Sequence, residues 1–297
     1  MSYSNKNAQL TMQHGLSKYS IMGFVQYAVM LCGNALAKDI QSASRIGKAA
    51  MSCFDKRFNS LAEQVPSLYL AYYGEVAPYF EPLQSCAEMA RQAFNAALSR
   101  GENRVAFLNA MQHIKILLFA GEKLPTILEK VDFYLKLADQ YNNVIGKHIL
   151  YMFRDTISTL IDRGESTSLE NDGANEVMNA SPSSAGIHRH RAIQSYWLGY
   201  NERCHHYWAK AAPPNATENL GSIVLTFLHG LGSFQLMKRK NTLKLRMIAR
   251  DAIAVLKTAA SHSQWNYCNK VRNSLVGSDS SFLVNVNLTM QIIVGIT

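Results

Sequence analysis

The sequence predicts an all-α protein: an α-solenoid of stacked helical hairpins, about ten helices long, with a non-helical C-terminal tail. Three observations predict it. Apolar residues recur at spacings of three and four from residue 15 to residue 164, the period of one buried helix face, and no period-two strand interrupts them. Short Gly- or Pro-bearing breaks arrive about every twenty residues in that stretch. Two half-units nearly superimpose, Gly101-Glu102-Asn103 and Gly121-Glu122-Lys123, each opening a helix, which is the pattern of hairpins repeating with a period near forty. Composition agrees, because 48% of the 297 residues are hydrophobic and only 17 are Gly and 7 are Pro. That balance excludes a disordered, collagen-like or disulfide-scaffold chain.

Read by its breaks, the first array holds helices over residues 15–32, 37–54, 60–79, 82–99, 103–120, 122–140 and 143–164. Gly33, Gly101 and Gly121 each offer a residue able to adopt positive φ at a helix end. The segment from Asp55 to Ser60 separates the second helix from the third. Pro82 and Pro125 fall within the opening turns of the helices that follow them, where a missing N–H costs nothing. Ala87, Ala90, Ala93, Ala96 and Ala97 make the fourth helix thin, while Phe107, Leu108, Met111, Ile114, Leu117 and Leu118 make its neighbour bulky. Alternation of that kind lets antiparallel helices interdigitate at native density.

Composition then divides the chain. Residues 1–14 are polar and read as a disordered N-terminus; 15–164 form the helical array; 165–187, rich in Ser, Asn, Gly and acid, form a flexible linker. Helical periodicity resumes over 188–210, 216–237 and 241–261, within a second segment spanning 188–272, and Pro213-Pro214 precedes a helix that Asn215 or Thr217 caps. Residues 273–297 form an irregular or frayed tail, whose alternation of Val284, Val286, Leu288, Met290 and Ile292 with polar residues has no second strand to pair with.

The chain carries a net charge of +9. Much of the excess lies in Lys238, Arg239, Lys240, Lys244, Arg246 and Arg250, which read either as the solvated side of a helix or as a basic face over residues 238–250 that binds phosphate or nucleic acid. No aromatic residues are interleaved there for base stacking, so nucleic acid is the lesser reading. Residues 19–37 lack charge and are long enough to cross a bilayer, but Ser20, Gln26, Gly33 and Asn34 interrupt them, and a buried helix-turn-helix is expected instead. Five cysteines without paired spacing and no signal-like N-terminus indicate a reducing, cytoplasmic setting.

Chemistry is scarce. Gly47-Lys48 and Gly146-Lys147 lack the glycine and the Ser or Thr of a phosphate-binding loop. His188, His190, Cys204, His205 and His206 lie close in sequence, yet residues two apart on a helix diverge, so a packed amphipathic helix outranks a zinc site. Glu122 with Glu129 and Asp132 with Asp139 read as solvated faces paired at i and i+4 with Lys123, Lys130 and Lys136, and Cys53 or Cys86 would need an oriented His to act as a nucleophile. No catalytic, cofactor or metal residue is therefore assigned, and no enzyme activity is expected.

The residues Gly23-Phe24, Met30-Leu31-Cys32-Gly33 and Ile46-Gly47-Lys48-Ala49-Ala50, then Tyr72-Tyr73-Gly74-Glu75-Val76-Ala77-Pro78-Tyr79-Phe80-Glu81-Pro82-Leu83 and Leu117-Leu118-Phe119-Ala120-Gly121-Glu122-Lys123-Leu124, carry a resemblance. So do Tyr196-Trp197-Leu198-Gly199-Tyr200, Phe227-Leu228-His229-Gly230-Leu231 and Trp265-Asn266-Tyr267-Cys268. Together they resemble the tetratricopeptide-like helical region of large multidomain signalling ATPases, in which a serine/threonine kinase-like domain precedes the ATPase and a histidine kinase or nucleotide cyclase can follow. The resemblance spans roughly residues 15 to 272, specifies architecture more than activity, and lacks every ATPase, kinase and cyclase motif of such parents. It implies a non-catalytic surface for a protein partner or a neighbouring domain, along a groove made by one helix of each pair, for which Tyr69, Tyr72, Tyr73 and Tyr79 are weak candidates because aromatics are mostly core.

Overall fold

The structure, a computed structural model, describes residues 3–33, 39–57, 65–162, 184–211, 220–237, 239–240 and 242–262. Every regular element among them is helical. Twelve α-helices, rather than about ten, run in the order α1 (Tyr3–His14), α2 (Lys18–Gly33), α3 (Ile40–Arg57), α4 (Val65–Ala71), α5 (Leu83–Leu98), α6 (Asn103–Ala120), α7 (Leu124–Gln140), α8 (Val144–Ile161), α9 (Ser184–Trp197), α10 (Asn201–Ala211), α11 (Leu220–Met237) and α12 (Leu243–His262). Neighbours in sequence pack as neighbours in space: α2 with α3, α5 with α6, α7 with α8 and α9 with α10. The chain divides into two compact units, one dominated by residues 1–120 and one built from Gly121–Ala216 and Gly221–Ala260. The expected tail, the period-two run and the Trp265 block lie outside the described residues, as do Asn215, Thr217 and most of the expected linker.

In the first unit, the expected disordered N-terminus is helical instead. Gly15 (φ +86°) stops α1, donating its N–H to the Thr11 carbonyl at 2.9 Å. Ser20 Oγ then accepts from the Ser17 N–H at 3.0 Å and from Thr11 Oγ1 at 2.8 Å, capping α2 and tying α1 to it. Ile21, Val25, Ala28 and Cys32 of α2 are buried, and α2 packs on α3. The bilayer-spanning alternative for residues 19–37 is thereby overturned: α2 ends at Gly33, its apolar face is already covered, and no described helix is long and apolar enough to cross a membrane.

The single helix expected over 60–79 is broken. After α4 the backbone widens into a π turn (Tyr72–Val76), in which the Ala77 N–H reaches the Tyr72 carbonyl, and then tightens into a 3-10 turn (Ala77–Tyr79). Pro78 explains the change, because it has no N–H for the Gly74 carbonyl four residues earlier and its ring would collide with that carbonyl in an α-helix. Gln112 Nε2 fills the vacancy, donating to the Gly74 carbonyl at 2.9 Å. Beside it, Tyr72 donates to Glu81 at 3.1 Å, and the Tyr69, Tyr73 and Tyr72 rings meet edge to face at 5.1 and 4.9 Å. The thin-and-bulky pairing of α5 and α6 is realised: Ala87, Ala90, Ala93 and Ala97 are buried, with Phe94 edge-on to Phe107 at 6.2 Å.

Helix ends use one device three times. Gly101 takes φ +75° while the Glu102 N–H reaches the Ala97 carbonyl; Asn142 takes φ +51° while Asn143 reaches Ala138; Gly199 takes φ +81° while Tyr200 reaches Ser195. Gly121 has φ +78°, so the glycines of both half-units serve as predicted. Gly199 corrects the helix expected over 188–210, which is two helices, and α9 starts at Ser184, inside the expected linker. Each helix of the second unit presents a buried face, including Ile127, Val131, Leu135, Leu150, Phe153, Ile157, Ala192, Ile193, Leu228, Leu231, Ala249 and Ala252.

Candidate interaction surface

One helix of the second unit is apolar on two sides. On α8, Leu150, Phe153, Ile157 and Leu160 point into the core, yet Val144 and Ile145 are 63% and 71% exposed and Tyr151 is exposed one to two turns further on. Tyr141 in the preceding turn and Phe133 on α7 are also exposed. The local sequence places these side chains firmly. Asn143 caps α8, its Oδ1 accepting from the Gly146 N–H at 2.7 Å, and His148 Nδ1–H donates to the Val144 carbonyl at 2.9 Å. Lys147 pairs with Asp139 of α7 and extends over the Tyr151 ring, while Arg154 pairs with Asp132 at 2.7 Å. The result is a stiff α7–α8 hairpin with an exposed apolar stripe, in which Val144 and Tyr151 lie two turns apart on one side and Ile145 widens it at the start of α8.

Those ion pairs also correct an expectation. Asp132 and Asp139 bond across the hairpin to Arg154 and Lys147, rather than along α7 to lysines four residues away. Glu122 bonds the Lys123 N–H at the start of α7, and Glu129 is exposed. Neither acid pair forms a shielded cleft in which one carboxyl could hold a proton.

The histidine and cysteine group is dispersed. His190 faces α8, its ring edge-on to Phe153 at 4.5 Å and its Nδ1 3.4 Å from Thr156 Oγ1, and burial pushes it down to about 4. His205 meets His229 of α11, Nδ1 to Nε2 at 3.1 Å, with Trp208 against the His229 ring; burial, then the charges of His205 and Lys244, push His229 down to about 3. His188 stacks on Tyr207, over which Arg191 also sits. Cys204 is buried, which pushes its thiol up to about 12. Among the described residues no three of His, Cys, Asp and Glu converge as metal ligands would.

Other candidates are packing residues. Burial pushes the Cys86 thiol up to about 12, the opposite of an activated nucleophile, and Cys53 is half-buried on α3. Gly47 lies against the Tyr72 ring inside α3, and Gly146 lies in the first turn of α8, so neither Gly-Lys pair forms a loop. Tyr72 and Tyr79 are buried and Tyr69 and Tyr73 half-buried, which makes these four aromatics core. Arg239, Lys240, Lys244, Arg246 and Arg250 are exposed; Lys240 reaches Glu202 at 3.6 Å and Arg250 reaches Asp251 at 3.6 Å. Lys238 lies outside the described residues.

No protein-family profile, curated protein or solved structure matches this chain.

Proposed function

We propose that the chain is a non-catalytic helical-repeat scaffold, an α-solenoid of hairpins that docks an amphipathic helix on the exposed side of α8. The observation that carries the reading is the stripe of Val144, Ile145 and Tyr151, exposed on a helix whose opposite side already fills the core. Large apolar groups held in water on one side of a helix, as Val144 and Tyr151 are two turns apart with Ile145 beside the first, are what a partner helix reads. The tetratricopeptide-like resemblance supports the same role, with the partner on another protein or on a neighbouring signalling domain of a longer chain.

The partner helix carries acid beside its apolar stripe. Near the stripe Asp139 is held by Lys147, while Asp132 is paired with Arg154 and Asp155 bound by Gln194 at 3.0 Å; Lys136 and His148 are exposed beside it, and the chain as a whole is +9. Acidic flanks therefore gain attraction and on-rate at this rim. The test identifies a partner by affinity capture and reconstitutes it pure with the chain and with an Ile145→Asp, Tyr151→Asp double variant. The reading requires the double variant to lose binding while remaining folded. Equal binding, or a stripe consumed by self-association of the chain, would overturn it.

A further inference from the structure

The α9–α10 turn and the last turn of α11 enclose an open cleft of about 450 Å³, lined by Tyr200, Asn201, Glu202, Arg203, Gln235, Leu236 and Arg239, with Gly199 at its edge. Its volume lies in the range of small-ligand pockets. We infer that this cleft is an anion site that takes a phosphate monoester between Arg203 and Arg239. The site is separate from the α8 stripe, and its existence does not depend on the docking role.

Charge is the first argument. Glu202 is the single acid lining the cleft, and the Lys240 ammonium approaches it at 3.6 Å, so the local excess is two guanidinium groups. The second is pre-organisation. Arg203 lies over the Tyr200 ring at 5.3 Å, a contact that narrows the positions its guanidinium takes while engaging none of its N–H donors in the ring plane of Tyr200. Tyr200 is itself fixed, because its N–H closes the end of α9 on the Ser195 carbonyl at 2.8 Å. Arg239 is placed by the turn that ends α11, where the Leu236 carbonyl accepts from both the Arg239 and the Lys240 N–H at 2.9 and 2.8 Å. Those two bonds take up one of the carbonyls that end α11.

The ligand class follows from the lining. Two forks of planar donors match the oxygens of a phosphate better than a single carboxylate does. Asn201 and Gln235 add neutral polar groups, while Leu236 and the edge of Tyr200 offer apolar surface for the carbon skeleton of an ester. The basic run thus acts here through Arg239, at a concave site, rather than as a flat face along α12.

Isothermal titration of the full chain with inorganic phosphate and with glycerol 3-phosphate, at low ionic strength, tests the site. One saturable site is expected. Arg203→Gln and Arg239→Gln should each weaken binding about ten-fold, the loss of one charge-assisted contact. An Arg246→Gln, Arg250→Gln variant removes charge from exposed positions on α12 and should leave the affinity unchanged. Circular dichroism checks that each variant is folded. Vesicles of phosphatidylcholine with and without phosphatidic acid separate the two sources of the group: binding that requires phosphatidic acid assigns a lipid headgroup, and phosphate binding without it assigns a soluble monoester. Absence of saturable phosphate binding, or equal weakening by the α12 variant, would overturn the inference.

Discussion

Gln112 and Gly74, thirty-eight residues apart, are joined by a 2.9 Å hydrogen bond that completes a carbonyl left without a backbone donor by Pro78. Both partners are buried, so replacing Gln112 with Leu keeps the bulk and strands the carbonyl. The expected loss is about 1–3 kcal/mol, measured by urea denaturation. Adding Pro78→Ala returns an N–H to the helix and should recover part of that loss; strictly additive single effects would contradict the linkage.

Gly230 and Gly47 report how closely helices approach. A Cβ on Gly230 would come 2.7 Å from the Cβ of Ala252, an atom fixed to the α12 backbone, and a Cβ on Gly47 would come 2.8 Å from the Tyr72 ring. Inside an uncrowded helix, Gly→Ala gains about 1 kcal/mol. Here overpacking of about 1–3 kcal/mol opposes that gain. Gly230→Ala should therefore lower the melting temperature, and Gly47→Ala should do the same because the Tyr72 hydroxyl is held by Glu81. A variant that melts higher than the parent would show that the helices stand further apart.

Acid should destabilise the second unit before it protonates most carboxylates. His190 and His229 are held well below the ordinary histidine value of 6.5, at about 4 and about 3, because burial disfavours their charged forms. The unfolded chain then binds protons that the folded chain refuses. Stability from His190 is complete above pH 6.5 and declines as pH falls through that value toward about 4. Urea midpoints across this window should fall with pH, and His190→Gln should flatten the decline. An unchanged slope in that variant would remove His190 from the account.

The parts of the fold legible in sequence are those written in single-residue chemistry. Gly101 and Gly121 mark helix ends because positive φ is cheap for glycine, and the alanines of α5 mark a close approach to Phe107. Gly199 carries the same signal, but it stands amid Tyr196, Trp197 and Tyr200, whose apolar periodicity runs on through it. Asn142 does the work of glycine without being one. Pro78 and Gly74 lie in a stretch whose helical spacing is unbroken, and only the distant Gln112 makes the interruption affordable. The α8 stripe was hidden for a different reason: Val144, Ile145 and Tyr151 are as apolar as Leu150 and Phe153, and periodicity alone does not separate a second exposed side from a broad buried one.

Exposure also makes the stripe testable at little cost to the fold. Ile145→Asp places charge where water already reaches and should change stability by less than about 0.5 kcal/mol; Tyr151→Asp also loses the Lys147 contact and should cost up to about 1 kcal/mol. Phe153→Asp, at a core position on the same helix, should unfold the second unit. Thermal melts of the three variants separate the two sides of α8.

Binding of a purified partner to the intact chain and to the Ile145→Asp, Tyr151→Asp variant, measured by calorimetry, tests the docking role most directly. The account predicts saturable binding by the intact chain, weakened by added salt, and none by the folded variant. Binding of equal strength by both proteins would contradict it.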